Sequence, residues 1–289
     1  MKIHLIDGTY ELFRAHFGAP PKKSASGLEV GATLGLIRSL LMLLQTPGVT
    51  HVAVAFDHVI ESFRNKMYAG YKSSEGVDPI ILNQFELAEK AVSALGVVVW
   101  PMVKFEADDA IAAATTRFKK DKSVEQIIIC SVDKDLTQMV DGRKVICWDR
   151  RREIILDEKG VVEKFGVKPE SIPDYLALVG DSADGYPGIQ GWGEKSTATV
   201  LAKYKHIESI PNDPNKLGLG LGRATTLLEN LQKNYKDALL FRELSTLRTD
   251  VPLKETLNEL KWLGAYPRLK KICHGLGDER IPERIPLWR

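Results

Sequence analysis

Nine acidic residues fall in five short bursts, and every burst follows or opens an apolar run. Asp7 closes Ile3–Ile6, and Asp57 closes Val52–Phe56. Glu106, Asp108 and Asp109 open the apolar stretch that begins at Ala107. Asp133 and Asp135 come just after Ile127–Cys130, and Asp181 and Asp184 share the segment Gly180-Asp181-Ser182-Ala183-Asp184. Runs that are apolar at every position, with no polar alternation, are the pattern of strands covered on both faces, which means a parallel sheet. Ligands of such a sheet collect beyond the carboxyl ends of its strands. Asp7, Asp57 and Asp133 are therefore expected along one edge.

The segments between the runs read as helices. Glu29–Gln45 carries Leu and Ile at helical spacing, Gln84–Leu95 is amphipathic ahead of the β-branched run Val97–Trp100, and a third helix is expected over Ala107–Lys119. Val145–Trp148 and Glu153–Leu156 form a hairpin pattern at the edge of the sheet. After about residue 160 the strand patterns stop, and short helices alternate with glycine turns at Gly188–Gly193 and Gly218–Gly222. The expected architecture is α/β, with a mostly parallel central sheet flanked by helices over 1–160 and a helical region over 161–289. Arg280–Arg289, with two prolines, is expected to be a loosely held end.

Composition bounds the class. At 289 residues the chain can bury a sizeable core, and 44% hydrophobic with 27% charged residues is ordinary for a soluble protein. No run approaches the ~18 apolar residues of a membrane span, and the apolar N-terminal run is too short for a secretory signal. Three cysteines without paired spacing suit a reducing cytoplasm.

Taken singly, each acidic burst has an ordinary reading. Asp7-Gly8 can be a turn, Glu106–Asp109 and Asp133–Asp135 can cap helices, and Asp181–Asp184 can be a solvated loop. Taken together at strand ends, they point to a metal site. Carboxylates gathered closely either rise in pKa or recruit cations. With no His or Cys at ligand spacing, the oxygen donors favour Mg²⁺ or Mn²⁺ over Zn²⁺.

Two further segments suit phosphates. Phe63–Lys72 interleaves cations with aromatics, including Arg64, Tyr68 and Lys72, a mix that can face phosphates and unstacked bases or be a solvated helix face. In Gly188–Ser196, glycines expose backbone N–H groups ahead of an apolar helix, Ala198–Tyr204, with Lys195 and Ser196 adding contacts. A plain glycine turn is the alternative.

Ile6-Asp7-Gly8, Phe56-Asp57, Glu106-Ala107-Asp108-Asp109, Asp133-Lys134-Asp135 and the run from Gly180 through Lys195 resemble the 5′ nuclease (flap endonuclease) family. The likeness is greatest to the 5′–3′ exonuclease domain of bacterial DNA polymerase I, and extends from residue 2 to about 253, with no polymerase following. The resemblance implies a PIN-like fold, a helical arch at about 60–82, and a helix-3-turn-helix motif at about 172–206. It implies one metal cluster of Asp7, Asp57, Glu106, Asp108 and Asp109, and another of Asp133, Asp135, Asp181 and Asp184. Lys72, helped by Arg64, would contact the scissile phosphate. Tyr68, Gly191, Trp192, Gly193, Lys195 and Ser196 would bind DNA, and the hairpin can hold K⁺ in relatives. The implied activity is structure-selective 5′–3′ exonuclease and 5′ flap endonuclease action by two divalent ions, on DNA with a 5′ end, flap or branch. The protein would be a cytoplasmic monomer beside a separate DNA polymerase. Two departures stand out: Gly185 replaces an Asn after the last Asp, and Leu176 replaces a basic residue. The rivals are a PIN-type ribonuclease and a non-catalytic DNA-binding factor.

Overall fold

The computed structural model describes residues 1–18 and 20–289. The chain forms two compact units, each drawn from several stretches: residues 1–60, 74–131 and 249–289 make the first, and 61–73 with 132–248 make the second. Among the described residues, no helix is long and apolar enough to cross a membrane.

The first unit alternates strands and helices: β1 (Lys2–Asp7), α1 (Gly8–Gly18), α2 (Gly31–Leu44), β2 (His51–Asp57), the one-turn α3 (Pro79–Leu82), α4 (Phe85–Ala94), β3 (Val98–Met102), α5 (Ala107–Phe118) and β4 (Gln126–Cys130). Its strands pair in parallel in the order β3-β2-β1-β4. Ile3, Leu5, Ile6, Ala53, Val54, Ile127 and Ile129 are fully buried, which is why these strands are predominantly apolar, with His4 of β1 and His51 of β2 as buried polar exceptions. The register sets Asp7 opposite Ala55 and Asp57 opposite Met102, so both carboxylates stand at the carboxyl ends of adjacent strands. α2 starts two residues later than its spacing predicts. Glu29 turns back to accept the N–H groups of Gly31 (2.9 Å) and Lys22 (2.7 Å), which ends the preceding loop instead of opening the helix.

The second unit holds β5 (Val145–Asp149) and β6 (Ile154–Leu156), an antiparallel hairpin, followed by α6 (Glu158–Phe165), α7 (Ile172–Val179), α8 (Glu194–Tyr204), α9 (Leu221–Lys233) and α10 (Tyr235–Ser245). α7 and α10 are tied through buried Asp174, which accepts from Arg242 Nη1 at 3.2 Å and from the backbone N–H of Ile207 at 3.0 Å. The region after residue 160 is thus helical, as its sequence pattern predicts.

Two expectations differ from the structure. Residues 60–82 contain little helix: one 3₁₀ turn at Phe63–Lys66 and the four residues of α3. Ser62 and Asn65 close that turn on each other, since Ser62 Oγ accepts from Arg64 N at 3.2 Å and Asn65 Oδ1 from Ser62 N at 2.8 Å. Gly70, Gly76 and Pro79 then punctuate the rest. The C-terminal end is not loose. After α11 (Arg268–Gly275) and α12 (Arg280–Glu283), the chain returns so that Leu287 O accepts from Ala265 N at 2.9 Å, and Arg289 stacks over Tyr266 at 3.9 Å. Gly96 (φ +85°) permits this approach: a Cβ there would lie 2.1 Å from the Gly264 carbonyl oxygen.

Candidate active site

The first unit holds five of the nine carboxylates. Asp7 is 6% exposed; its Oδ1 accepts from Tyr10 N at 2.8 Å, capping α1, and its Oδ2 accepts from Ser131 Oγ at 2.9 Å. Asp57 Oδ1 accepts from Ala107 N at 2.7 Å, joining the end of β2 to the start of α5. The Asp57 N–H donates in turn to Thr9 Oγ1 at 2.8 Å. In the Glu106–Asp109 burst, Asp109 is fully buried and its Oδ2 accepts from Glu106 N at 3.0 Å. The capping role is therefore real for Asp109. Glu106 is buried as well, and Asp108 is half-buried at the first turn of α5. An acidic first turn suits the positive end of a helix dipole. Ser131 and Thr9 were absent from the sequence-based set; only their places beside Cys130 and Gly8 could have suggested them.

The second unit holds the other four with two lysines. Asp135 is 6% exposed, and its Oδ1 is buried without a hydrogen-bond partner. Burial, then the charges of Asp133, Asp184 and Asp181, push its carboxyl well above the usual range, with Lys72 opposing. Lys134 Nζ lies 2.5 Å from Asp181 Oδ2, and Lys72 Nζ lies 3.1 Å from Asp184 Oδ1. Burial pulls the Lys134 ammonium down, but its hydrogen bond to Asp181 and the neighbouring negative charges outweigh it, so the net shift is upward. Tyr71 Oη donates to Asp184 Oδ2 at 3.3 Å.

The loop between α7 and α8 presents Asp181 and Asp184. It closes tightly, with Asp181 N donating to Tyr186 O at 2.9 Å and Tyr186 N to Asp181 O at 3.1 Å. Gly185 lets this loop lie against the backbone at Gly70. Its φ is +86°, and a Cβ there would sit 2.1 Å from Gly70 O. Leu176, at the other departure, is a 1% exposed core residue of α7.

The expected phosphate contacts divide. Lys72 is half-buried on the carboxylate group, whereas Arg64 is 1% exposed and donates through Nε to Leu244 O at 2.7 Å and through Nη2 to Thr246 O at 3.2 Å. Arg64 thus ties its own segment to the end of α10 and does not face solvent. Tyr68 is half-buried, edge-on to Phe241 with centroids 5.7 Å apart. Gly191, Gly193 and Lys195 are exposed, but Trp192 and Ser196 are not. Trp192 Nε1 donates to Leu227 O at 3.0 Å, and Ser196 Oγ accepts from Gly193 N at 3.2 Å, which starts α8 at Glu194 rather than Ala198. These two side chains build the turn. Lys134 was missed as a site residue, although it stands between two carboxylates in Asp133-Lys134-Asp135.

As they stand, no three His, Cys, Asp or Glu side chains among the described residues are close enough to hold a metal ion. The second group nevertheless fits a cation chemically: its donors are all oxygen, one buried carboxylate oxygen has no partner, and its existing counter-charges are two lysine side chains.

Residues 2–166 match the family described as "5'-3' exonuclease, N-terminal resolvase-like domain", and residues 167–268 match "5'-3' exonuclease, C-terminal SAM fold". The chain belongs to the 5′–3′ exonuclease family. It is 32% identical over 264 residues to a 5′-3′ exonuclease of Aquifex aeolicus, covering 90% of this chain and 89% of the relative. It is also 32% identical to DNA polymerase I of Mycobacterium leprae, where the match spans 89% of this chain but 28% of the polymerase. Among solved structures it is similar in fold to the T5 D15 protein co-crystallised with metal ions, at TM-score 0.67 and 14% identity, covering 98% and 97% of the two chains. It also resembles the catalytic core of Rad2 in complex with a DNA substrate, at TM-score 0.62 and 13% identity, covering 98% and 91%. Membership in this exonuclease family agrees with the resemblance read from the acidic motifs, and the α/β fold with a helical second region agrees with the expected class.

Proposed function

We propose that the protein hydrolyses DNA phosphodiester bonds at 5′ ends and 5′ flaps, using Mg²⁺ or Mn²⁺. The single observation that carries this reading is the group of buried Asp135, Asp181 and Asp184 beside Asp133, with Lys72 against it, in a chain of the 5′–3′ exonuclease family. Divalent ions bound there would supply a hydroxide nucleophile and neutralise the leaving oxygen.

The chain's own residues do the rest. In the first unit Asp7, Asp57, Glu106 and Asp108 would supply oxygen ligands, and in the second Asp133, Asp135, Asp181 and Asp184 would, while Asp109 holds the start of α5 from behind. Lys72, released from Asp184, would offset the charge that builds on the phosphate. Arg64 serves as a positioning residue that anchors the segment carrying Lys72. The exposed backbone of Gly191 and Gly193, with Lys195, would grip duplex phosphates without reading sequence, and the same hairpin offers carbonyls to K⁺. The reading includes action as a monomer that works in the cytoplasm beside a separate DNA polymerase.

The test is incubation of a 5′-labelled flap with and without Mg²⁺, beside an RNA flap of matched sequence. Metal-dependent cutting at the DNA junction is expected. Preferential cutting of the RNA would establish the ribonuclease instead, and binding without cutting in Mg²⁺ and Mn²⁺ would leave a DNA-binding factor.

A further inference from the structure

Each aspartate of the 181–184 loop is matched to its own lysine. Asp184 pairs with Lys72, which comes from the 61–73 segment, and Asp181 pairs with Lys134, which comes from the middle of the Asp133–Asp135 burst. The second pair is the shorter, at 2.5 Å against 3.1 Å. Lys134 retains 43% side-chain exposure while Asp181 keeps 5%, so the ammonium reaches in from the wet side to a carboxylate that is otherwise enclosed. With all four carboxylates ionised, as metal binding requires, four carboxylates and two ammoniums leave two negative charges, the charge that one divalent cation neutralises. Without Lys134 the deficit would be three.

The geometry points to Lys134 as a built-in counter-ion of this carboxylate group: a positioning residue that holds Asp181 in place and competes with divalent metal for its oxygen. This inference rests on the metal reading above and assigns a role to a residue outside it. Two consequences run in opposite directions. Removing the ammonium leaves the carboxylates to repel one another, so the metal-free protein loses stability. The same removal clears a positive charge from the place a cation would occupy, so divalent ions bind more tightly. A lysine that merely braced the loop would weaken both. The Asp135 oxygen that lacks a partner supplies a second donor toward the same cation.

The experiment uses the full chain as wild type, K134Q, K134R and D184N. Mn²⁺ binding is followed by the loss of the free-ion EPR signal, and melting temperature is measured in EDTA and in saturating Mn²⁺. K134Q is expected to bind Mn²⁺ about tenfold more tightly than wild type, as removal of a nearby positive charge predicts. It should melt lower than wild type in EDTA and recover most of the difference in Mn²⁺. K134R keeps the charge and should stay near wild type in both measurements. Unchanged or weaker Mn²⁺ binding by K134Q, with wild-type binding that D184N impairs, overturns the counter-ion role while leaving the metal group intact. Wild-type Mn²⁺ binding that is indifferent to D184N overturns the metal reading of this group, and the counter-ion role with it.

Discussion

Lys72 and Asp184 meet twice: the Lys72 backbone N–H donates to the Asp184 carbonyl at 3.0 Å, and the Lys72 ammonium lies 3.1 Å from Asp184 Oδ1. The backbone bond fixes the segment, while the ion pair leaves the side chain able to exchange partners. The pair is largely enclosed, with the Lys72 side chain 27% and the Asp184 side chain 12% exposed, so removing the lysine leaves a buried carboxylate without its counter-charge.

Lys72→Ala should therefore lower the melting temperature in EDTA, and should lower the single-turnover rate on a 5′ flap by about 10²-fold or more, the usual cost of losing one preorganised charge donor. Rapid-quench kinetics with pre-bound flap separates this from a binding defect. A rate within a few-fold of wild type would remove Lys72 from the reaction.

Gly185 should tolerate no side chain. The φ of +86° and the 2.1 Å approach of a Cβ to Gly70 O add backbone strain to a clash with a carbonyl that belongs to the Lys72 segment. Gly185→Ala should cost about 2–4 kcal/mol in urea unfolding. Gly185→Asn, although Asn accepts left-handed backbone, meets the same carbonyl and should not be appreciably milder.

The Cys273 thiol gives a pH dependence on the alkaline side. Burial, then the charges of Asp278 and Glu279, raise it to about 11 from an ordinary value near 9. The folded protein holds this proton where the unfolded chain releases it, so stability is intact below about pH 9 and falls as pH rises toward 11. The loss should be on the order of 2 kcal/mol, and Cys273→Ala should flatten that part of the curve in denaturant titrations. An unchanged alkaline slope would show that other groups set it.

The C-terminal end should stabilise the first unit. Asp278 is 4% exposed, pairs with Arg38 of α2, and accepts from Arg280 N at 3.0 Å and Ile281 N at 3.2 Å. Asp278→Ala leaves those donors unpaired and should cost about 3 kcal/mol. Removal of residues 280–289, which include the strand-like return past Ala265, should lower the melting temperature as well. Limited proteolysis of wild type should spare this end.

How much of this was legible follows the range of the interactions. Val52–Phe56 and Ile127–Cys130 declared themselves because burial on both faces is written into consecutive residues, and Asp7 and Asp57 inherit their places from the strands they end. Boundaries were less exact where a side chain turned back on the backbone, as Glu29 does before α2 and Ser196 before α8. The helical arch that the resemblance implied over 60–82 is reduced to two short turns because Gly70, Gly76 and Pro79 interrupt the segment.

Sequence by itself determined the alternation of apolar runs and helices, the family, and the oxygen-only donor set, since each is a property of neighbouring residues or of motifs in order. Only the tertiary structure decided that Arg64 and Trp192 spend their donors on distant carbonyls, that Asp109 faces inward as a cap, and that Lys134 takes Asp181. Those outcomes depend on which buried charge or donor finds which partner across a long stretch of chain. Burial makes an unmet polar group costly, but it does not write the partner's position into the local sequence.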